Sequence, residues 1–442
     1  MTTGVEVDQL MRAASALALF VLAYLILRRY QRLALVAWLA AIAFVPVWVG
    51  VTARAYFPAA TLVTLLVAIS LLPALRRVRW SVVDVIFVVI GITVVIELLV
   101  DRTTLSAAFD LITAWAAAYA VGRLIVMEVA VEWIYRAVAV TFTLVAALAV
   151  VEFLTGVNVF VTYLPNDTRL FDIWGPLQTR GEVVRVEGAF GHSIALGATL
   201  GFAASIALGA ALRPLYKASM ILIMGAAVVL TFSRTGMLTF GLAILLACVF
   251  QREGLSRAFR ITLLVVTSIS GLLVFQLVRD VFLTSGNEAQ NSALYRAELL
   301  ELTTSMSPFG LSPAFQISAS RQVSIGDFGS VDNALLLFGL IYGWVPLLLV
   351  LGCLGAAVGY TLRRRATPAL LAVVAQLPAL VTVALITQYA HVLWFGVGLA
   401  VSAQLSGRHR SAPGPNTTWT GLHPGPAIAH PLTVRPREVT RP

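Results

Sequence analysis

Long apolar stretches recur along the chain, and they limit its fold more than any other feature. Lipid offers no hydrogen-bond partner to a backbone, so only helices and closed barrels can cross a membrane. The stretches are continuous rather than alternating in polarity, which predicts helices. Thirteen of them are present, at residues 13–27, 33–49, 56–75, 82–100, 105–122, 134–154, 193–212, 218–232, 235–250, 260–278, 333–361, 367–386 and 389–405.

Composition agrees with this interpretation. Of 442 residues, 59% are hydrophobic and 12% are charged, against about 25% charged in soluble proteins. The two cysteines, Cys248 and Cys353, lie inside apolar stretches and predict neither a disulfide nor a metal site. We therefore predict an all-α polytopic integral membrane protein with about 12 or 13 transmembrane helices over residues 1–405. Residues 406–442 are Pro-rich and predict a disordered cytoplasmic tail.

The basic residues predict the orientation of these helices. The net charge of +10 is spread over short clusters, which argues against nucleic-acid binding and fits the rule that cytoplasmic loops are basic. The clusters occupy every second connection: Arg28/Arg29/Arg32, Arg76/Arg77/Arg79, Arg123 with Arg136, Arg213/Lys217, Arg252/Arg257/Arg260 and Arg363/Arg364/Arg365. The remaining connections are then external, including 155–192 and the large loop 279–331. The same rule requires two short helices in 218–250, joined by an external turn at Ser233–Gly236.

Polar side chains from distant parts of the sequence collect at this external face. They are Arg185, His192, Arg234, Arg296, Asp332 and Asn333. An arginine at membrane depth is costly and points to function, and guanidinium groups bind phosphate oxygens in a bidentate manner. A nearby His or Asp is a candidate general base. The pattern predicts a site for a multiply anionic group such as a lipid pyrophosphate.

Each candidate also has a purely structural interpretation. Arg185 and His192 are candidates for residues at the membrane interface, where long side chains extend toward water. Arg296 lies beside Glu298 and Glu301 in a predicted amphipathic helix, so it is also a candidate for a solvated face. Asp332 is a candidate N-cap for the helix that follows it.

Three stretches resemble the O-antigen ligase/polymerase superfamily of glycan-transfer proteins. They are RVEGAFGHSIALG (185–197), LTFSRTGML (230–238), and YRAELLELTTSMSPFGLS (295–312) followed by VDNALLLFGLIYG (331–343). Family members show Arg-x-x-Gly-Thr-Phe-like, Ser-Arg-Gly-Gly-like and Pro-x-x-Gly-x-Gly…His-Asn-like stretches in this order. The resemblance covers about residues 185–345, and the first six helices match only in hydropathy.

The resemblance implies that a glycan is transferred from a polyprenyl-pyrophosphate carrier to an acceptor hydroxyl, glycan or lipid-glycan, at the external face of the bacterial plasma membrane. It implies no nucleotide sugar, cofactor or metal. Arg185, Arg234 and Arg296 would hold the pyrophosphate, and Asn333 would contact substrate. Where the family has His-Asn this chain has Asp332-Asn333, so the base is either Asp332 or His192.

Two other classes remain open. A secondary transporter or flippase for a lipid-linked or anionic solute would use the same arginines without chemistry, although no internal repeat of the kind common in transporters is evident. A sugar transferase with an acidic first external loop is disfavoured, because residues 50–55 (GVTARA) contain no acid.

Overall fold

The protein is predominantly helical, which confirms the predicted all-α class. The computed structural model describes residues 2–52, 56–251, 254–284, 295, 298–317 and 323–410. The helices up to the large loop are α1 Thr2–Arg29, α2 Gln31–Phe44, α3 Ala59–Leu71, α4 Val82–Leu99, α5 Leu105–Asp110, α6 Ala117–Ile125, α7 Val131–Thr155, α8 Val159–Tyr163, α9 Arg169–Trp174, α10 Ser193–Gly209, α11 Pro214–Leu230, α12 Arg234–Phe250 and α13 Arg257–Thr284. Those after it are α14 Ala334–Tyr342, α15 Trp344–Leu362, α16 Pro368–Val374, α17 Leu377–Leu380 and α18 Tyr389–Arg410.

Shorter elements extend or connect these helices. A 3-10 turn, Leu72–Arg77, continues α3, and the π-helical segment Leu111–Ala116 joins α5 to α6. Further 3-10 turns cover Gly188–Phe190 and Leu302–Ser305. Three antiparallel hairpins are present: β1 Gly50–Thr52 with β2 Tyr56–Pro58, β3 Thr179–Arg180 with β4 Val183–Val184, and β5 Phe315–Ile317 with β6 Val323–Ile325. The last two lie in connections that were predicted to be external. β2 instead occupies the start of the predicted helix 56–75, which begins only at Ala59.

Several helices are able to span a membrane. Within the described ranges, five are long and apolar enough to do so by length and composition: Ala59–Arg77, Val82–Leu99, Leu105–Ile125, Val131–Thr155 and Trp344–Leu362. Five shorter apolar helices accompany them: Gln31–Phe44, Ser193–Gly209, Pro214–Leu230, Arg234–Phe250 and Pro368–Leu380. Each of the thirteen apolar stretches contains helix. The number of crossings, 12 or 13, stays a prediction.

Two predicted helices are interrupted, and packing explains the first interruption. The stretch 333–361 breaks at Gly343, whose φ of +95° favours glycine. The large loop fits against the break, where the backbone N–H of Trp344 donates to the carbonyl of Ser307 at 3.0 Å. The stretch 367–386 is helical only to Leu380, and regular helix resumes at Tyr389. The final helix continues to Arg410, so residues 406–410 of the predicted disordered tail are helical. The rest of that tail, 411–442, lies outside the described residues.

The core is built around α10. This helix is buried along almost its whole length and packs against α7, α11, α12 and α16. Small residues permit the closest of these contacts. A Cβ built on Gly197 would lie 3.0 Å from the Cα of Gly236 in α12, and one built on Gly201 would lie 3.0 Å from the backbone nitrogen of Phe240.

A polar network joins three helices at the end predicted to be cytoplasmic. Arg123, assigned from the sequence to a basic loop cluster, is instead buried in α6 and bonds Asp84 of α4 through its Nε at 3.0 Å. Its Nη1 donates to Ser402 Oγ of α18 at 2.8 Å, and Tyr119 also donates to the Asp84 carboxylate. The charge is paired inside the protein, so Arg123 connects α4, α6 and α18 and does not belong to a solvated loop.

Candidate functional site

Three of the predicted site segments begin helices, and a side chain caps each helix N-terminus. His192 Nδ1 accepts from the backbone N–H two residues ahead at 3.2 Å, at the start of α10. Ser233 Oγ accepts from the N–H of Gly236 at 3.0 Å, immediately before Arg234 opens α12. Asn333 Oδ1 accepts from the N–H three residues ahead at 3.0 Å and caps α14. The cap predicted for Asp332 is therefore wrong, because its neighbour Asn333 fills that position.

Close packing brings the first two of these N-termini together. Gly197 of α10 and Gly236 of α12 touch through their backbones, as the 3.0 Å spacing of a built Cβ shows. Gly236 lies two residues after Arg234, and Gly197 lies five residues after His192. The Arg234 and His192 segments therefore lie side by side.

Residues 382–383 connect the start of α14 to the start of α12. Thr235 Oγ1 and Thr382 Oγ1 share a hydrogen bond of 3.2 Å. The N–H of Ala334 donates to the carbonyl of Val383 at 3.0 Å. Asn333 is thereby tied to the segment that carries Arg234, across about a hundred residues of sequence. Residues 382–383 were not among the predicted site residues.

The β3–β4 hairpin places two arginines against the turn between α11 and α12. Arg185 Nε donates to the carbonyl of Thr231 at 2.9 Å. Arg180 Nη1 donates to the carbonyl of Phe232 at 2.8 Å. Phe232 has a φ of +46° and reverses the chain just before Arg234. The structure thus holds Arg185 and Arg180 against the turn that precedes Arg234, and Arg180 was not among the predicted site residues.

The environment of His192 affects what its ring can do. Burial and the charge of Arg185 lower the pKa of His192 to about 4, so the ring is neutral at physiological pH. Nδ1 accepts the capping bond, which places the proton of the neutral ring on Nε2. Trp174 packs edge-on against the ring, with centroids 5.8 Å apart. His192 is arranged as a hydrogen-bond donor.

Two buried carboxylates beneath the hairpin were also missed. Glu152 accepts from the backbone N–H groups of Glu187 and Gly188, at 3.1 and 2.9 Å, and from Asn158 Nδ2 at 3.0 Å. Glu187 is 0% exposed, and its Oε1 accepts from the backbone N–H of Gln178 at 3.0 Å. Burial raises the pKa of Glu187 to about 7, opposed by that bond. These contacts fix the loop that carries Arg185.

The remaining candidates differ in position. Asp332 is exposed, and the hydroxyl of Ser330 donates to its carboxylate at 3.2 Å. Tyr295 lies nearby and donates to the carbonyl of Ser330; burial and the Asp332 charge raise the pKa of Tyr295. Arg296 lies outside the described residues. The predicted helix around it is helical at its described positions and ends before Pro308, as expected.

An apolar groove lies between the helices and includes Ala334 at the start of α14 in its lining. It encloses about 780 Å³ between α4, α15 and α18. Trp80 and Gln404 line one end, and Ala334 and Leu380 line the other. Aromatic side chains, including Phe87, Trp115 and Trp394, form much of its wall.

The site therefore combines arginines, helix N-termini and an apolar approach. Helix N-termini carry partial positive charge and bind anions, and the arginines add full charges. Among the side chains described, no group of three or more His, Cys, Asp or Glu residues is placed to hold a metal ion. No protein-family model matches the chain, and no curated protein matches its sequence.

Proposed function

We propose that the chain is a membrane glycosyltransferase of the O-antigen ligase/polymerase type. It would transfer a glycan from a polyprenyl-pyrophosphate carrier to an acceptor hydroxyl at the external face of the bacterial plasma membrane. The observation that carries the proposal is the bond from Arg185 to the turn that leads into Arg234, a segment to which the start of α14 is tied. These groups come from three distant parts of the sequence and have the chemistry that a pyrophosphate leaving group needs.

The arginines would act on the leaving group. As the bond between the sugar C1 and the pyrophosphate oxygen breaks, its electron pair stays on that oxygen as negative charge. Guanidinium groups already in position stabilise this charge more in the transition state than in the ground state. Arg185 is held for this task by the carbonyl of Thr231, and Arg234 by its place at the start of α12.

Asp332 is the proposed general base. The acceptor hydroxyl would give its proton to the Asp332 carboxylate while its oxygen bonds to the sugar C1, and polyprenyl pyrophosphate would depart. Asp332 is exposed and adjoins Asn333, whose helix is tied to the Arg234 segment. The tautomer of His192 suits it to donate a hydrogen bond to substrate and not to accept this proton.

The apolar groove would hold the carrier lipid. An isoprenoid chain needs an apolar surface that continues from the membrane to the pyrophosphate site. Ala334, the residue after Asn333, is among the residues that line the groove. A carrier lying in it would present its pyrophosphate to the arginines without leaving the apolar phase.

The test is transfer by purified protein in liposomes that contain a polyprenyl-pyrophosphate-linked glycan, with release of free polyprenyl pyrophosphate as the readout. Arg234→Ala should lower the rate about 100- to 1,000-fold, the cost typical of losing one charge-stabilising donor. Arg169→Ala, an exposed arginine in the same connection, is the control and should keep full activity. Unchanged output from Arg234→Ala would remove the proposal, and inhibition by a chelator would count against a metal-independent reaction.

A flippase for the same class of lipid is the second candidate. The observation that favours it is the interrupted helix between Leu380 and Tyr389, because interrupted helices frequently form substrate sites in transporters. Movement of a fluorescent carrier between leaflets, without release of polyprenyl pyrophosphate, would support this alternative over glycan transfer.

A further inference from the structure

The helix α7 carries an exposed apolar stripe that begins at a charge and ends without one. Its members recur every three or four residues, at Arg136, Val140, Leu144, Leu148, Val151 and Leu154. From Arg136 to Thr155 the helix rises roughly 28 Å, close to the thickness of about 30 Å of the hydrocarbon core of a bilayer. With Arg136 at the boundary predicted to be cytoplasmic, Thr155 lies at the opposite boundary.

The chain stays apolar and exposed after this helix ends. Gly156, at a φ of +68°, ends α7 and turns the chain. No charged residue occurs in the sequence between Glu152 and Asp167. The exposed apolar side chains that follow the turn are those of Val157, Val159, Tyr163 and Leu164. Exposed apolar groups that continue one another, rather than being scattered singly, mark an interaction surface.

The inner side of this segment is fixed to the protein by polar contacts. Asn158 is buried and caps α8. Its Nδ2 donates to Glu152 Oε1 at 3.0 Å and to the carbonyl of Gly188 at 3.1 Å. At the other end of the segment, Trp48 Nε1 donates to the carbonyl of Leu164 at 3.0 Å. The segment therefore has a fixed polar side, and its apolar side chains face away from the protein.

We propose that residues 157–164 form an interfacial anchor that rests on the lipids of the leaflet predicted to be external. The exposed side chains of this segment continue the apolar stripe of α7 at the depth where the hydrocarbon ends. Tyr163 is 75% exposed, and tyrosine is enriched at this depth because its ring is apolar and its hydroxyl is polar. The partner is a lipid surface. The inference concerns attachment and applies equally to a transferase and to a flippase.

The experiment measures the surroundings of nitroxide labels on the purified full-length chain in lipid nanodiscs. Cys248→Ala and Cys353→Ala remove the two native thiols, and Val159→Cys or Tyr163→Cys then supplies a single label site. Molecular oxygen concentrates in the apolar phase of a bilayer, whereas a water-soluble nickel chelate stays in water. Collisions of the label with each reagent, measured by saturation of its electron paramagnetic resonance signal, therefore report the phase around it.

Two further exposed positions supply the controls. Leu148→Cys lies in the stripe of α7 and reports lipid, and Asp172→Cys lies in α9 of the same connection and reports water. At Val159 and Tyr163, oxygen collisions should exceed nickel collisions, as they do at Leu148. At Asp172 the order should be reversed.

Two results would overturn the inference. Nickel collisions at Val159 and Tyr163 as frequent as those at Asp172 would place the segment in water. Few collisions with either reagent would show that protein covers it, for which a second copy of the chain is the candidate. Neither result depends on the reaction, because a chain that releases no polyprenyl pyrophosphate can still have the anchor and a transferase can lack it.

Discussion

Replacing Gly236 by alanine tests the contact that brings the predicted site segments together. The new Cβ would lie 3.0 Å from the Cα of Gly197 and 3.3 Å from its carbonyl carbon. Both are backbone atoms, so α10 and α12 must move apart. Overpacking of this kind costs about 1–3 kcal/mol. Alanine also gains about 0.5–1 kcal/mol over glycine inside a helix, which leaves a net loss of about 0–2.5 kcal/mol.

Gly241 of the same helix supplies the matched control. A Cβ built there meets nothing within 4 Å, so Gly241→Ala should gain the helix contribution and lose nothing. The two variants should therefore differ by about 1–3 kcal/mol in free energy of unfolding, with Gly236→Ala the less stable. Thermal unfolding in detergent, followed by helical circular dichroism, measures the order directly.

The same pair of variants probes the site. A shift of about 1 Å in a positioned group can cost about a hundredfold in rate, and Gly236 lies two residues from Arg234. Gly236→Ala requires its neighbours to shift by a few tenths of an ångström, so it should lower transfer and pyrophosphate affinity by less than that factor, and Gly241→Ala should keep both. If the two variants are equally stable and equally active, the close approach of α10 and α12 does not position the site.

Three further outcomes are expected. Burial raises the pKa of Glu187 to about 7 from 4.5, so its contribution to stability is complete below pH 4.5 and is lost as pH rises through 7. Glu187→Gln should be as stable as the unchanged protein at pH 5. At pH 8 its free energy of unfolding should be higher, by up to about 3 kcal/mol. Unfolding temperatures at the two pH values measure the order. Transfer assays should find Asp332→Asn inactive and His192→Ala partly active, and the reverse order would move the base to His192. Gly343→Ala, at a φ of +95° and 2.5 Å from the Pro308 carbonyl, should release the large loop to proteolysis, whereas Gly352→Ala, with nothing within 4 Å, should not.

Helices were predictable from the sequence because the apolar stretches leave few alternatives for a backbone in lipid. The interruptions of these helices were not predictable. In the sequence, Gly343 is one residue of a long apolar stretch and gives no sign of a break. The break is visible only in the structure, where the large loop packs against Gly343. The separation of α11 and α12 was predictable, since a single helix through Arg234 would have violated the charge rule.

The candidate site was predictable to the extent that the charge rule assigns residues to one face. Arg185 bonds to Thr231, in the turn that precedes Arg234, and the assignment of both arginines to the external face stays a prediction. Arg180 was missed because its relation to Arg185 depends on a hairpin register; the available signal was two arginines five apart around Gly181 in TRGEVVR. Glu187 lies within a stretch quoted for the resemblance, but its complete burial is a tertiary property that no local pattern reveals.

The turn between α11 and α12 explains why arginine suits these positions. A helix ends in carbonyl groups that lack partners within the helix, and it begins with N–H groups in the same situation. Here the end of α11 offers the carbonyls of Thr231 and Phe232 to Arg185 and Arg180, while the start of α12 adds its positive end at Arg234. A guanidinium has five N–H donors in a rigid planar fork, so a bond to a carbonyl orients the whole group. A lysine ammonium, with three donors on a flexible stem, would gain less orientation from the same bond. The turn between α11 and α12 thus positions the arginines and also adds the partial positive charge of a helix N-terminus to theirs.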